Sequence, residues 1–253
     1  MKRVDLALVE MGLADSRNKA QDLIEKDCVL YKGEVVKKNS KLVDETCLEV
    51  KDHKTYVGRG AFKLERAFDV FDIKNKDVCL DIGSSTGGFT QVLLENGARK
   101  VYAIDVGDKQ MDDRLRYDER VILHENTNFR DIDTNAYPKF NLIVGDLSFI
   151  SLKLIIPNAI QMLDDLGQMI LLIKPQFESK LKDHIIKNKK EHIKIIKGIE
   201  DFSKDRGLYI NDLTFSPIKG KKGNIEYLAL FSFNEKSRLD IDRLVNDSFE
   251  YFS

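Results

Sequence analysis

Apolar positions follow two regimes along the chain. Through residue 50 they are sparse and change period. Val4, Ala7, Leu8 and Met11 recur at i, i+3, i+4 and i+7, which predicts a helix with those four facing inward, ended by Gly12. Ser16 is placed to cap a second helix whose inner face carries Ala20, Leu23 and Ile24. After Asp27 the pattern shortens to strands. Residues 29–31 and 35–36 flank a turn at Gly33, and residues 48–50 form a last short strand. Two helices and a small sheet make a marginal core at this size, so this α+β module is expected to lean on a neighbour or a ligand.

Residues 51–60 open with charged, aperiodic Lys51-Asp52-His53-Lys54 and are read as a linker. From residue 61 to 253 the pattern is richer. A helix carries Phe62, Leu64, Ala67, Phe68 and Phe71. Strands are predicted at 78–82, 100–105, 121–124, 140–145, 168–173, 208–215 and 225–233, with helices at 87–96, 153–163 and 188–206. Continuous apolar runs such as Met169-Ile170-Leu171-Leu172-Ile173 are what parallel strands buried on both faces require. The alternation predicts an α/β, doubly wound, mostly parallel seven-stranded sheet.

Composition narrows the classes. Of 253 residues 42% are hydrophobic and 33% charged, which suits a globular chain, and the uncharged apolar runs are too short to span a bilayer. No secretory signal is visible and the N-terminus meets Asp5 and Glu10 at once, so a cytoplasmic protein is expected. Cys28, Cys47 and Cys79 lie in apolar, strand-like runs without metal-ligand spacing and are expected as small core residues in a reducing compartment. The net charge of −1 opposes a globally basic nucleic-acid binder. Lys180 to Lys222, however, holds 12 Lys plus Arg against 6 Asp plus Glu, and a local basic surface attracts phosphates inside a neutral chain.

The sharpest local signal runs from Val78 to Thr90. A buried strand ends in Asp81, a turn of Gly83, Ser84, Ser85, Thr86, Gly87 and Gly88 follows, and Phe89 begins a helix. Glycines let backbone approach a ligand at the carboxyl edge of the sheet. The spacing is Asp-x-Gly-x-x-x-Gly, not the Gly-x-Gly-x-x-Gly of a dinucleotide fold, and no lysine follows to hold a phosphate. S-adenosylmethionine has no phosphate and carries a sulfonium and an ammonium, so an acidic strand end suits it. The next strand ends in Asp105 and Val106, where an acid accepts ribose hydroxyls.

Four residues are candidates for chemistry. Asp146 ends the fourth strand and Lys174 the fifth, Lys63 lies on the helix before the sheet, and Glu226 starts the last strand. Two lysines and two carboxylates suit the alkylation of a ribose hydroxyl, a poor nucleophile that must lose its proton. Lys174 is read as the general base, tuned by the ammonium of Lys63, with Asp146 and Glu226 orienting the lysines and Asp146 also beside the cofactor. Asp146-Leu147-Ser148-Phe149 lacks the Pro-Pro-aromatic clamp of amino-methylating enzymes, and no cysteine stands near to attack a base carbon. Three other readings stay open at this point: a membrane-active hemolysin, a non-catalytic RNA-binding or ribosome-assembly factor, and a dehydrogenase.

The chain also resembles a known family. Ser16-Arg17-Asn18-Lys19-Ala20 and Leu30 to Glu34 look like the small RNA-binding module named after a ribosomal protein. The blocks Arg59 to Leu64, Asp81 to Phe89, Ala103 to Gly107, Leu147 to Leu152, Lys174 to Glu178, and Ser216 to Glu226 resemble the FtsJ-type methyltransferases. Together they resemble the TlyA family, whose members are called hemolysin A or rRNA 2′-O-methyltransferase. The resemblance implies a class I Rossmann-like methyltransferase domain behind an RNA-binding domain, with Lys63, Asp146, Lys174 and Glu226 as the catalytic set. It implies S-adenosylmethionine as cofactor, cytidine ribose methylation in ribosomal RNA with the large subunit favoured, and capreomycin-type antibiotic sensitivity. Expected partners are ribosomal RNA or subunits, with no membrane and no metal, the chain acting as a monomer or weak dimer. Arg3, Arg17, Lys19, Lys26 and Arg59 are candidates for RNA contacts, and Phe149 and Phe177 for stacking on a flipped base, the alternative being ordinary core packing. The sequence departs from the family at Gly58-Arg59-Gly60-Ala61, where a Ser-Arg-Gly-Gly is usual, and at 182–190, which lacks a Gly-Gly-x-Val-Arg-Asp segment.

Overall fold

A computed structural model describes residues 1–25, 28–50, 56–179, 185–235 and 239–253. The chain divides into two compact units, residues 1–55 and 56–253.

The smaller unit contains β1 (Lys2–Arg3), α1 (Val4–Glu10), α2 (Arg17–Glu25), β2 (Val29–Tyr31), β3 (Glu34–Val35), β4 (Leu42–Val43) and β5 (Leu48–Val50). Val4, Ala7, Leu8, Ala20, Leu23 and Ile24 pack into one core with Val29, Val36 and Val43. Met11, expected on the inner face, is 40% exposed because the helix has ended beneath it. Ser16 accepts a hydrogen bond from the Lys19 amide at 3.3 Å and so caps α2. Lys32 and Gly33 both take positive φ, the turn that a two-residue hairpin prefers. The pairing of β1 with β4 was not legible in the sequence, since two-residue strands leave no periodicity. Two of the cysteine expectations fail: Cys28 and Cys47 are partly exposed, and Cys47 closes a 3-10 turn, Glu45–Cys47, rather than a strand. Cys79 is buried, and burial pushes its thiol up to about 12.

The larger unit is built from α3 (Ala61–Val70), β6 (Val78–Ile82), α4 (Gly88–Glu95), β7 (Lys100–Ile104), α5 (Asp113–Arg116), β8 (Val121–His124), β9 (Phe140–Gly145), α6 (Ile156–Met162), β10 (Leu163–Ile173), α7 (Pro175–Glu178), α8 (Lys189–Lys204), β11 (Tyr209–Phe215), β12 (Tyr227–Ser232) and α9 (Ile241–Tyr251). One seven-stranded sheet runs in the order β11-β12-β10-β9-β6-β7-β8. Its pairs are parallel except those of β12, which runs antiparallel to both neighbours. Alternate residues of one strand feed two cores: Met169, Leu171 and Ile173 pack in one, Ile170 and Leu172 in the other. Double-sided burial is why β10 reads as an unbroken apolar run.

Three boundaries differ from expectation. Residues 56–60, assigned to the linker, pack within the larger unit: Tyr56 is buried edge-on against Phe62, and the Val57 amide donates to Gln91 Oε1 at 2.9 Å. Residues 51–55 lie outside the described set. The helix expected at 153–163 begins as a 3-10 turn, and the α-helix starts at Ile156 with Pro157 in its first turn, where a missing amide costs nothing. The strand expected at 168–173 reaches back to Leu163 through a register shift.

Candidate active site

The cofactor-loop candidates sit at the carboxyl edge between β6 and α4. Gly83 and Gly87 adopt φ of +79° and +92°, so both need glycine, and a Cβ on Gly87 would lie 2.4 Å from Leu115. The Gly83 amide donates to the Ile104 carbonyl at 2.8 Å, tying the loop to the end of β7. Asp105 bridges the same two segments. Its Oδ2 accepts the Ser85 amide at 2.8 Å and its Oδ1 the Gly107 amide at 2.7 Å. Both oxygens therefore first shape the loop, and their second lone pairs are what remain for ribose hydroxyls.

Exposure sorts the loop residues. Gly83, Ser85, Thr86, Asp105 and Val106 reach solvent, whereas Asp81, Ser84, Gly87, Gly88 and Phe89 are buried beneath them. Asp81 is closed off entirely. Thr90 Oγ1 donates to its Oδ2 at 2.7 Å, while its Oδ1 and the Ser84 hydroxyl have no partner within the protein. Burial pushes the Asp81 carboxyl up to about 7, against the donated bond from Thr90. Orphaned acceptors under bare glycine backbone, with no lysine or arginine from 81 to 90, fit a cationic ligand without phosphate. S-adenosylmethionine is such a ligand, and of the candidates for holding it Gly83, Ser85, Thr86, Asp105 and Val106 are the ones that reach solvent.

The four chemical candidates converge beside this loop. Lys63 Nζ donates to Asp146 Oδ2 at 2.9 Å and to Glu226 Oε2 at 2.8 Å. Lys174 Nζ lies 2.6 Å from the other oxygen, Asp146 Oδ1. The result is a chain, Lys174–Asp146–Lys63–Glu226, of two cations and two anions. Topology explains the meeting. Asp146 and Lys174 follow the parallel strands β9 and β10, so both leave the carboxyl edge. Glu226 precedes β12, and only because β12 is reversed does its start lie at that edge, with Tyr227 opposite Ile173. Lys63 arrives from the first turn of α3, brought close by glycines. A Cβ on Gly60 would stand 3.4 Å from Asp146 Oδ2, one on Gly88 3.1 Å from the Ala61 amide, and one on Gly58 2.5 Å from Thr86 Oγ1.

Burial and pairing oppose each other at both Lys63 and Asp146. Burial works against the Lys63 ammonium, but the carboxylates of Asp146 and Glu226 outweigh it and hold its proton on more firmly than usual. Burial likewise works against the Asp146 carboxylate, but Lys174 and Lys63 hold it below the usual range. Asp146 stands between the lysines, one carboxylate oxygen facing each ammonium. The charge of Lys63 is taken up by carboxylates on both sides.

Sequence reasoning missed three members of the site. Ser148 Oγ accepts from Lys174 Nζ at 3.2 Å. Gln176 Nε2 donates to Glu226 Oε1 at 3.0 Å. Gly220 abuts the same carboxylate, and a Cβ there would lie 2.4 Å from Glu226 Oε1. All three stand within the motif blocks, but only the fold shows whom they serve. Of the stacking candidates, Phe149 is 83% exposed at φ +62°, a costly conformation for a bulky residue, which rejects core packing for it. Phe177 lies 5.0 Å from it between ring centroids and 5.7 Å from Lys174 Nζ.

Among the RNA-contact candidates, Arg59 is exposed. In the smaller unit Arg3 and Arg17 both bond to the fully buried Asp5, at 3.0 and 3.1 Å, and remain half exposed. Lys19 pairs with Asp15 at 2.8 Å. Lys26 lies outside the described residues. Among the described residues no His, Cys, Asp and Glu group is arranged for a metal, and no helix is long and apolar enough to cross a membrane.

A reversed seventh strand in an otherwise parallel sheet, with a glycine loop under acidic strand ends, defines a Rossmann-like methyltransferase. Comparison makes this specific. The chain belongs to the TlyA family, with residues 56–233 matching the FtsJ-like methyltransferase family and residues 2–46 the S4 domain. It is 43% identical to hemolysin A of Brachyspira hyodysenteriae, over 90% of this chain and 99% of that one. It is 41% identical to the 23S rRNA (cytidine-2′-O)-methyltransferase TlyA of Campylobacter jejuni, over 89% and 98%. A solved structure from Streptococcus thermophilus, 37% identical, superposes with a TM-score of 0.75 over 99% of this chain and 96% of that one.

Proposed function

We propose that the protein transfers a methyl group from S-adenosylmethionine to the 2′-hydroxyl of a cytidine in ribosomal RNA, preferentially of the large subunit. The observation that carries this reading is the buried Lys174–Asp146–Lys63–Glu226 chain at the cofactor edge. Its elements match the needs of a ribose hydroxyl, which must be oriented and stripped of its proton. Family membership supports it, and so do the relatives. One from Mycobacterium tuberculosis, 36% identical over 89% of this chain, is named a 16S/23S rRNA (cytidine-2′-O)-methyltransferase. The chain's near-complete match to the Campylobacter 23S enzyme favours the large subunit.

When bound, S-adenosylmethionine supplies the electrophilic methyl. The protein's residues do the rest. Lys174, held by Asp146 and Ser148, first releases its own proton to solvent and then, as the neutral amine, accepts the hydroxyl proton. Lys63 keeps its proton and fixes Asp146 and Glu226, so that the site stays neutral and rigid. Positioned proton transfer contributes ~10²–10⁴-fold, and in-line placement of the oxygen supplies more. Phe149 stacks on the target base, and the smaller unit with Arg59 adds phosphate contacts. Three cysteines outside any disulfide among the described residues suit a cytoplasmic enzyme.

The test is methyl transfer from labelled cofactor to ribosomal subunits that lack the modification, followed by nucleoside analysis. Label in 2′-O-methylcytidine of 23S RNA supports the reading. Label on a base, or none from folded protein that binds the cofactor, refutes it.

A further inference from the structure

Two lysine-bearing segments lie beside the stretch that carries Glu226, and neither has a role in the chemistry above. The first is a β-turn. The Gly223 amide donates to the Gly220 carbonyl at 2.8 Å, which puts Lys221 and Lys222 at the two corners of the turn. Both are exposed. The foot of this turn rests on the site itself, since Gly220 is packed against Glu226 Oε1. The second segment runs from Ile185 to Lys190 and presents exposed Lys187 and Lys190.

The two are joined through Ile186. Its amide donates to the buried side chain of Asn224 at 3.0 Å. Its carbonyl accepts from the buried His192 Nε2 at 2.9 Å. In each segment one lysine is tied to the fold. Lys219 Nζ donates to the Phe252 carbonyl at 3.1 Å, and Lys189 Nζ to Asn246 Oδ1 at 2.9 Å. Among the described residues the side chains of the other four have no ion pair or hydrogen bond, and neither 185–190 nor 219–222 contains an acid. The four-residue site is itself neutral and draws no phosphate. These lysines supply the missing field.

We propose that Lys187, Lys190, Lys221 and Lys222 grip the RNA phosphate backbone flanking the target nucleotide. A compact ammonium on a flexible stem is a point contact for phosphate without base readout. Anchored feet with unpaired tips present that charge at low cost in order, and the turn's contact with Glu226 sets its distance from the reacting ribose. This rests on the RNA reading above, and the experiment separates the two.

Binding of fluorescent rRNA fragments would be measured against salt, beside steady-state methyl transfer, for the full-length wild type, Lys221→Ala/Lys222→Ala and Lys187→Ala/Lys190→Ala. Lys100→Ala, at the opposite sheet edge, serves as the control. Each double variant is expected to flatten the log–log salt slope by about two and to raise KM for RNA about tenfold at physiological salt. Cofactor affinity stays unchanged, and Lys→Arg replacements restore the slope. Wild-type methyl transfer with unaltered slope and KM in both doubles would overturn the grip and leave the enzyme reading standing. Loss confined to intact subunits, with naked RNA bound as before, would also overturn it, because the lysines would then face ribosomal protein. Failure of wild type to methylate any RNA would count against the enzyme reading, while the salt slopes would still decide the grip.

Discussion

Lys63 is held between two carboxylates where water cannot screen them, so its worth lies in what its loss would strand. Removing one partner of a buried ion pair costs ~3–5 kcal/mol, because the remaining charge has neither solvent nor counterion. Lys63→Met should therefore lower unfolding free energy in urea by about that range at neutral pH. A loss below about 1 kcal/mol would show that Asp146 and Glu226 find other partners. Asp81 sets a pH dependence. Its carboxyl is raised from an ordinary 3.8 to about 7 by burial, so the folded state favours the protonated form. That contribution is complete below pH 3.8 and is lost as pH rises through about 7. Asp81→Asn, which cannot ionise, should gain stability relative to wild type between pH 4 and pH 7 in cofactor-free thermal melts. A difference that stays flat across that window would refute the burial argument. The catalytic candidates were legible because each ends or starts an element inside a recognisable block. Their partners were not. Nothing in the spacing shows that Gln176 reaches across 50 positions to Glu226, or that Arg3 and Arg17 share the buried Asp5.

At the scale of elements, the loop between β6 and α4 and the reversed β12 carry the design. Gly87 combines a left-handed φ with a contact a methyl group would violate. Gly87→Ala should cost ~1–3 kcal/mol in backbone strain, visible as a lower melting temperature, and should weaken cofactor binding in calorimetry. Unchanged affinity would mean that the loop's shape is not what the cofactor reads. The parallel strands were legible from their apolar runs, and α8 from its period. The final helix, Ile241–Tyr251, went unpredicted although its period was legible: Ile241, Leu244, Val245, Ser248 and Phe249 stand at i, i+3, i+4, i+7 and i+8, and all but Ser248 pack into or against the core. Its start is set by Asp240, whose side chain accepts the Arg243 amide at 3.0 Å. Strand polarity was not legible either. β12 reads like its neighbours, yet its reversal delivers Glu226 to the catalytic edge.

Over the whole molecule, near-neutral net charge hides a division of labour. The reacting centre balances its own charges, while exposed lysines stand on the segments beside Glu226 and, in the smaller unit, Arg3 and Arg17 are half exposed. The account stands or falls on whether Lys174 takes the proton from a ribose. The most direct measurement is single-turnover methyl transfer to unmodified large subunits by wild type and Lys174→Ala, with cofactor affinity measured on both. The account predicts 2′-O-methylcytidine from wild type, a rate lower by about 10²-fold or more for the variant, and equal cofactor affinity. A variant that methylates within a few-fold of wild type would contradict the assignment of Lys174 as the base.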